Sequence, residues 1–429
     1  MNKHLSMEAI SLFLKTDGTK KLRLDNLQNL GTPFFRLLNP HKWTALKYFT
    51  VNQLQLTDSV LIGCLNGMHS LEQFEARGNQ KLTEKTLVKL SNSCPNLKHL
   101  NLNFTSVNAA GLSQILKKLT NLNTLKLGQV EIGGETCWKS LFAGEKELNT
   151  KKRKSDVGSS VENSKKKIKK ETTTENKSTS SEDIKGYNFL KFTNLKFRET
   201  QFGSSSLEYI FKSSSETLET LDLMSTNVSN LNPFFNTSLP KLKKLNLSST
   251  NIKSSIQLET LLKKLFAESL ELKILILGCI KVLNDHCINK FSENILGLEK
   301  FSIYGNPQLK DLTTFFREMF NSNNLTRLVE LNFSNCQNIN FAYCEEEFYN
   351  KIGRVEPEEE DKNKIYNLKH LDLSGNVKVV DEVLENLIVK YFFNLKRLDI
   401  SSSRITDVGL KNALLGLKKL SWINIEGYL

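Results

Sequence analysis

The stretch Leu97-Lys98-His99-Leu100-Asn101-Leu102-Asn103-Phe104 decides the fold. Leu100 and Leu102 alternate with polar neighbours, as in a short strand with one buried face, and Leu97 anchors the turn leading into it. Downstream, Leu112, Ile115, Leu116 and Leu119 recur at helical spacing and form an apolar stripe that closes over the inward leucines. The unit is strand, then helix. The same Leu-x-x-Leu-x-Leu pattern, with exchanges among Leu, Ile, Val, Phe and Ala, begins at Leu46, Leu71, Leu97, Leu122, Phe192, Leu218, Leu242, Leu272, Leu298, Leu328, Leu368, Leu395 and Leu420. Ten of the twelve intervals lie between 24 and 30 residues, so the repeat spans the chain. A weaker copy at Lys21 to Leu27 extends it towards the amino end. No single unit buries both faces. Stacking gives a continuous core, and the expected fold is an α/β solenoid, a horseshoe with a parallel sheet on its concave face and helices on its convex face.

Composition bounds the function without choosing it. The 429 residues are 39% hydrophobic and 24% charged, as in a folded soluble protein. No apolar run reaches membrane-spanning length, and the first 14 residues lack a secretory cleavage pattern. The 7 Cys are scattered without a CxxC pair, which fits reduced thiols better than a disulfide framework. Cys279, His286 and Cys287 come nearest to a metal cluster, but their spacing is not that of a finger or ribbon. No phosphate-cradling Gly loop is present. The expectation is a binding protein with no catalytic residues, metal or cofactor.

Two segments, Ser91-Asn-Ser-Cys-Pro-Asn-Leu-Lys-His-Leu-Asn-Leu102 and Arg404-Ile-Thr-Asp-Val-Gly-Leu-Lys-Asn-Ala-Leu414, resemble the cysteine-containing subtype of leucine-rich repeats. That subtype occurs in F-box substrate receptors of ubiquitin ligases and in related fungal proteins of mitotic exit and nucleotide excision repair. The resemblance implies the same solenoid and a role in recognising a protein partner. The residues ahead of Leu46 read as a cap and a first weak repeat, with no F-box.

Two intervals break the period. The 70-residue one exceeds a unit by about 44 residues. Its excess, residues 145–185, is rich in Ser, Thr, Lys and Glu and is expected to be disordered. Lys151, Lys152, Arg153 and Lys154 form one basic cluster; Lys165, Lys166, Lys167, Lys169 and Lys170 form another, ten residues on. This spacing is that of a bipartite nuclear import signal, whose basic side chains occupy grooves of an import receptor. The expected location is therefore the nucleus. With Asp156 and Glu162 between them, the two clusters from Lys151 to Lys170 supply +7 of the formal +13, so the repeat array is far less basic than the whole chain. The 40-residue interval carries an acidic insertion at about 341–365, including Glu345 to Glu347 and Glu356 to Asp361. The expected organisation is thus a cap and weak repeat in 1–45, a first array in 46–144, the basic insertion in 145–185 and a second array in 186–429.

Residues alternating with the inward apolar ones face the concave surface. The first five such columns hold Arg77, Lys126, Lys196 and Arg198 against Glu75; the other eight hold Lys244, Lys300 and Arg397 against Asp222, Glu330, Asp372, Asp399 and Glu426. The face is expected to be positive at one end and negative at the other. Met224, Ile274 and Ile276 interrupt the polar pattern and, with Tyr304 and Trp422, are candidate anchors for a partner. His99 and Arg397 complete the candidate surface. Two functions follow: a nuclear protein-interaction scaffold or substrate-recognition subunit in a ligase or repair complex, or a factor that holds RNA or DNA phosphates on the basic half. No aromatic is interleaved among Arg77, Lys126, Lys196 and Arg198, and carboxylates increase towards the other end, which favours protein.

Overall fold

In three dimensions the segment from Leu97 to Phe104 keeps this alternation: Leu97, Leu100 and Leu102 are fully buried, and His99 lies half-buried on the opposite face. The computed structural model describes residues 18–27, 34–35, 43–143, 190–292, 297–316, 327–341 and 367–427. Within them, three-residue strands run in chain order as β1 (Lys21–Arg23), β2 (Tyr48–Thr50), β3 (Gln73–Glu75), β4 (His99–Asn101), β5 (Thr124–Lys126), β6 (Asn194–Lys196) and β7 (Thr220–Asp222). The series continues as β8 (Lys244–Asn246), β9 (Ile274–Ile276), β10 (Lys300–Ser302), β11 (Glu330–Asn332), β12 (His370–Asp372), β13 (Arg397–Asp399) and β14 (Trp422–Asn424). All fourteen form one parallel sheet in sequence order. The weak copy at Lys21 is β1 and pairs with β2.

The central residue of each strand from β2 to β13 is buried in the core, namely Phe49, Phe74, Leu100, Leu125, Leu195, Leu221, Leu245, Leu275, Phe301, Leu331, Leu371 and Leu398, while Leu22 of β1 and Ile423 of β14 are partly buried against it. Helices such as Glu84–Ser93, Ala109–Lys118 and Ser255–Glu268 cover them from the convex side. Their starts are held by side-chain caps, including Asn108 accepting from the Gly111 amide and Ser254 from that of Gln257. The convex layer is not uniform. The unit after β7 has only the four-residue helix Asn232–Phe235, where Pro233 occupies the first turn.

Three residues beyond the end of every strand the chain takes a left-handed bend. The residues are Asn26, Gln53, Gly78, Phe104, Gln129, Glu199, Ser225, Ser249, Cys279, Gly305, Asn335, Gly375, Ser402 and Gly427, with φ between 53° and 76°. The bend turns the chain from the concave sheet towards the convex layer. Buried Asn79, Asn306 and Asn376 fill the turn interior by donating to main-chain carbonyls of their own and the preceding unit, while Thr105, Thr200, Thr226 and Thr250 donate to the carbonyl three residues back. Buried backbone polarity is thereby satisfied in these seven units, whereas Leu54, Val130 and Ile280 fill the same position with apolar side chains.

Neither long interval interrupts the sheet. β5 pairs with β6 across the first, and β11 with β12 across the second. Before the first insertion, Trp138 and Phe142 pack on Phe197 and Phe202, which follow it. Both basic clusters of the expected import signal and most of the acidic insertion lie outside the described residues. No helix among the described residues is long and apolar enough to cross a membrane.

Candidate partner-binding surface

Strand registry arranges the concave side chains in rows. Third positions align Thr50, Glu75, Asn101, Lys126, Lys196, Asp222, Asn246, Ile276, Ser302, Asn332, Asp372, Asp399 and Asn424. Much of this row serves the exit turn. The side chains of Asn246, Asn332, Asp372, Asp399 and Asn424 accept hydrogen bonds from the amide two residues on, at 2.8–3.1 Å. The carboxylates of Asp372 and Asp399, expected simply as surface charge, thus also hold the backbone.

Asp222 requires a correction. It is fully buried, with Oδ2 receiving Arg198 Nε at 2.7 Å and Nη2 at 2.6 Å. Arg198 comes from the exit of the neighbouring strand, and its guanidinium lies across the carboxylate. The expected change of sign between β6 and β7 is therefore absent: Asp222 is covered and neutralised, and positive charge continues to Lys244. Lys126 and Lys196 are register partners on adjacent strands. Burial, then the charge of Lys126, lowers the Lys196 pKa, with Asp222 opposing. Lys244 is lowered by burial first and also by Lys196, Arg198 and Lys300, again against Asp222. These amines share one field although 48 residues separate Lys196 from Lys244.

Met224, Ile274 and Ile276 lie beside this cluster, all half-buried, with Ile274 the register partner of Lys244. Tyr304 extends the apolar floor over Gly278, where a Cβ would stand 2.3 Å from its ring. The glycine lets the Tyr304 ring lie against the chain there, and a larger residue would displace that ring.

The other candidates separate into local pairs. Arg77 is exposed and its guanidinium lies 5.0 Å from the Phe104 ring centre, so an aromatic does accompany this end of the basic series. His99 Nε2 is 3.1 Å from Glu75 Oε1. Glu75 is held down at about 2 by that contact first, with burial opposing and the charge of Lys126 assisting. Arg397 stacks 4.5 Å from the Trp422 ring centre, making a cation and aromatic pair on strands β13 and β14, away from Ile276 on β9, with Trp422 41% exposed. Sequence reading named Arg397 and Trp422 separately; their adjacency follows from the register of β13 and β14. It counted Lys244 only as a charge in the other half of the face and gave no role to Phe104 or Gly278, because their significance lies in neighbours from other repeats.

Cys287 is buried and Cys279 exposed, with His286 facing Glu259 at 3.5 Å rather than the thiols. Among the described residues, no group of three or more His, Cys, Asp or Glu is placed to hold a metal ion.

The family model described as leucine-rich repeat matches residues 93–116 and 393–412. No curated protein matches the sequence. Among solved structures, the chain is similar to the yeast Rad7 and Elc1 complex at 15% identity and a TM-score of 0.46, covering 94% of this chain and 90% of that one. It is similar to an internalin of Listeria monocytogenes at 17% identity and a TM-score of 0.44, over 86% and 83% of the two chains. A leucine-rich-repeat protein of Leptospira interrogans gives 15% identity and a TM-score of 0.42, over 98% and 93%. With the repeat written in its sequence, two copies matching the family model and fourteen strands in one consecutive parallel sheet, the chain belongs to the leucine-rich-repeat superfamily.

Proposed function

We propose that the chain is a protein-interaction scaffold whose concave sheet holds a partner, and that it works in the nucleus as a recognition subunit of a larger complex. The observation that carries the reading is the concave surface itself. It is a single sheet presenting an Arg and Trp pair, a half-buried apolar floor and charged flanks, the combination in which interface energy concentrates. A ubiquitin-ligase or repair setting is the finer part of the proposal and rests on the resemblance of the Ser91–Leu102 segment. The nuclear part rests on the two basic clusters at Lys151–Lys154 and Lys165–Lys170, which match the spacing an import receptor reads.

Photocrosslinking tests the surface. A crosslinking amino acid at concave Thr220 or Ser302 should label a discrete protein in nuclear extract, while the same group at convex Lys263 should not. Equal labelling from both faces would remove the concave site. Labelled material that is nuclease-sensitive and protease-resistant would favour a nucleic-acid partner instead.

A further inference from the structure

Resting on the concave-face reading above, we infer that Lys126, Lys196 and Lys244, set around the Arg198 and Asp222 pair beside Ile274, Ile276 and Met224, form a receptor for an acidic linear peptide carrying an aliphatic residue. The charge count supports this. Four cations surround one buried carboxylate, and Arg198 already occupies that carboxylate. Among the described residues, Lys126, Lys196 and Lys244 have no carboxylate within ion-pair distance. Lys300, on the far side of Ile274, differs because it pairs with Glu330. The cluster therefore carries a formal charge of about +3 on a half-buried floor, with Glu75 acting on Lys126 from two strands away.

The spacing suits a peptide. Adjacent strands lie about 4.8 Å apart, and an extended chain advances about 3.3 Å per residue. A segment crossing the sheet from β5 to β9 would meet Lys126, Lys196 and Lys244 in turn and then Ile274 and Ile276. Carboxylates placed over the lysines would relieve their mutual repulsion, and the aliphatic residue would cover the isoleucines. The flanking surface opposes polyphosphate: Glu75 lies on one side and, beyond the Lys300 and Glu330 pair, Asp372 and Asp399 on the other. A nucleic acid longer than a few nucleotides would run onto carboxylates, whereas a short acidic and aliphatic peptide would not. Buried Asp222 positions the cations: it fixes Arg198, is the register partner of Lys196, and stands on the strand next to Lys244 without reaching the surface.

The test is fluorescence anisotropy with a labelled twelve-residue peptide, four Glu followed by Leu-Ile and a neutral tail. It is titrated with the full chain and with a full-length variant whose nine basic residues between Lys151 and Lys170 are Gln. Both proteins should bind it with similar affinity. The combined Lys126→Gln, Lys196→Gln and Lys244→Gln variant should bind at least about tenfold more weakly, and the same three positions changed to Arg should retain binding. Lys300→Gln and the convex Lys263→Gln should stay within about twofold of the parent. Changing the four Glu of the probe to Gln should abolish binding, and changing Leu-Ile to Ser-Ser should weaken it by about tenfold; both leave the protein untouched.

Absence of binding at 0.1 mM peptide in low salt, indifference to the three lysines, or tighter lysine-dependent binding of an oligouridylate of equal length would each overturn the proposal. A partner crosslinked from Thr220 whose capture ignores the three lysines would refute this site and leave the concave-face reading standing. Loss of crosslinking at every concave position, with the peptide still bound, would do the reverse.

Discussion

Gly111 shows how one residue sets the distance between repeats. A Cβ there would lie 2.8 Å from Glu84 Cβ and 2.9 Å from Glu84 Cα, on the helix of the preceding unit. Gly111→Ala gains about 1 kcal/mol of helix propensity but forces two backbones apart at a cost of about 1–3 kcal/mol, so net destabilisation is expected. Gly63, also helical, has open space within 4 Å of the point where a Cβ would stand, so Gly63→Ala should stabilise by about 0.5–1 kcal/mol. Urea midpoints of the two variants should move in opposite directions. Glu75 makes a second prediction, on pH. Its folded pKa of about 2 lies below the ordinary 4.5, so its contribution is complete above pH 4.5 and is lost as the pH falls towards 2. Glu75→Gln should cost on the order of 1–2 kcal/mol at pH 7, less than the full shift implies because the site is partly solvated, and almost nothing near pH 2. Denaturation of both proteins across that range would show the gap closing.

At the scale of the element, the unit is a strand followed by a fixed left-handed bend. Hydrophobic alternation marks the strand plainly, which is why all fourteen were legible, even Lys21–Arg23. The bend was not legible, because it is occupied by Phe104, Gln129, Glu199 and Ser225 as readily as by glycine. Repeat packing and the Asn and Thr turn bonds impose the conformation against local preference. The Arg198 and Asp222 pair joins two such elements. Arg198→Ala would leave a fully buried carboxylate without its two guanidinium bonds, a loss of about 2–4 kcal/mol, moderated by Lys196 and Lys244 nearby. Arg198→Ala with Asp222→Asn should recover part of that loss. A thermal-denaturation cycle over the two sites would report the coupling, and additivity would mean that the pair is not a unit.

Across the whole molecule, stability accrues between neighbouring repeats, so an insertion matters only if it breaks a neighbour contact. Direct pairing of β5 with β6 and the packing of Trp138 and Phe142 on Phe197 and Phe202 show that this contact is kept. Replacing residues 148–185 by a short Gly/Ser linker should therefore change stability by no more than about 1 kcal/mol, the scale of loop-closure entropy. The same deletion should abolish nuclear accumulation of a fluorescent fusion, and restoring the two basic clusters at the chain end should rescue it. Unaltered nuclear uptake on deletion would exclude the import signal. Ser155→Asp in the intact chain should reduce uptake by placing negative charge against the first cluster.

The solenoid and its outward positions were determined by sequence alone, because a two-residue strand period and a repeat near 26 residues are local patterns that each unit expresses independently. Leu97, Leu100 and Leu102 carry that information without help from distant residues. The character of the concave surface was decided only in three dimensions. Whether Asp222 is surface charge or a buried anchor depends on Arg198 lying across it from the adjacent strand, and whether Lys126, Lys196 and Lys244 act together depends on strand registry across residues 127–243. Charge interactions act through space and burial. The linear order of the chain records neither until the repeats have stacked.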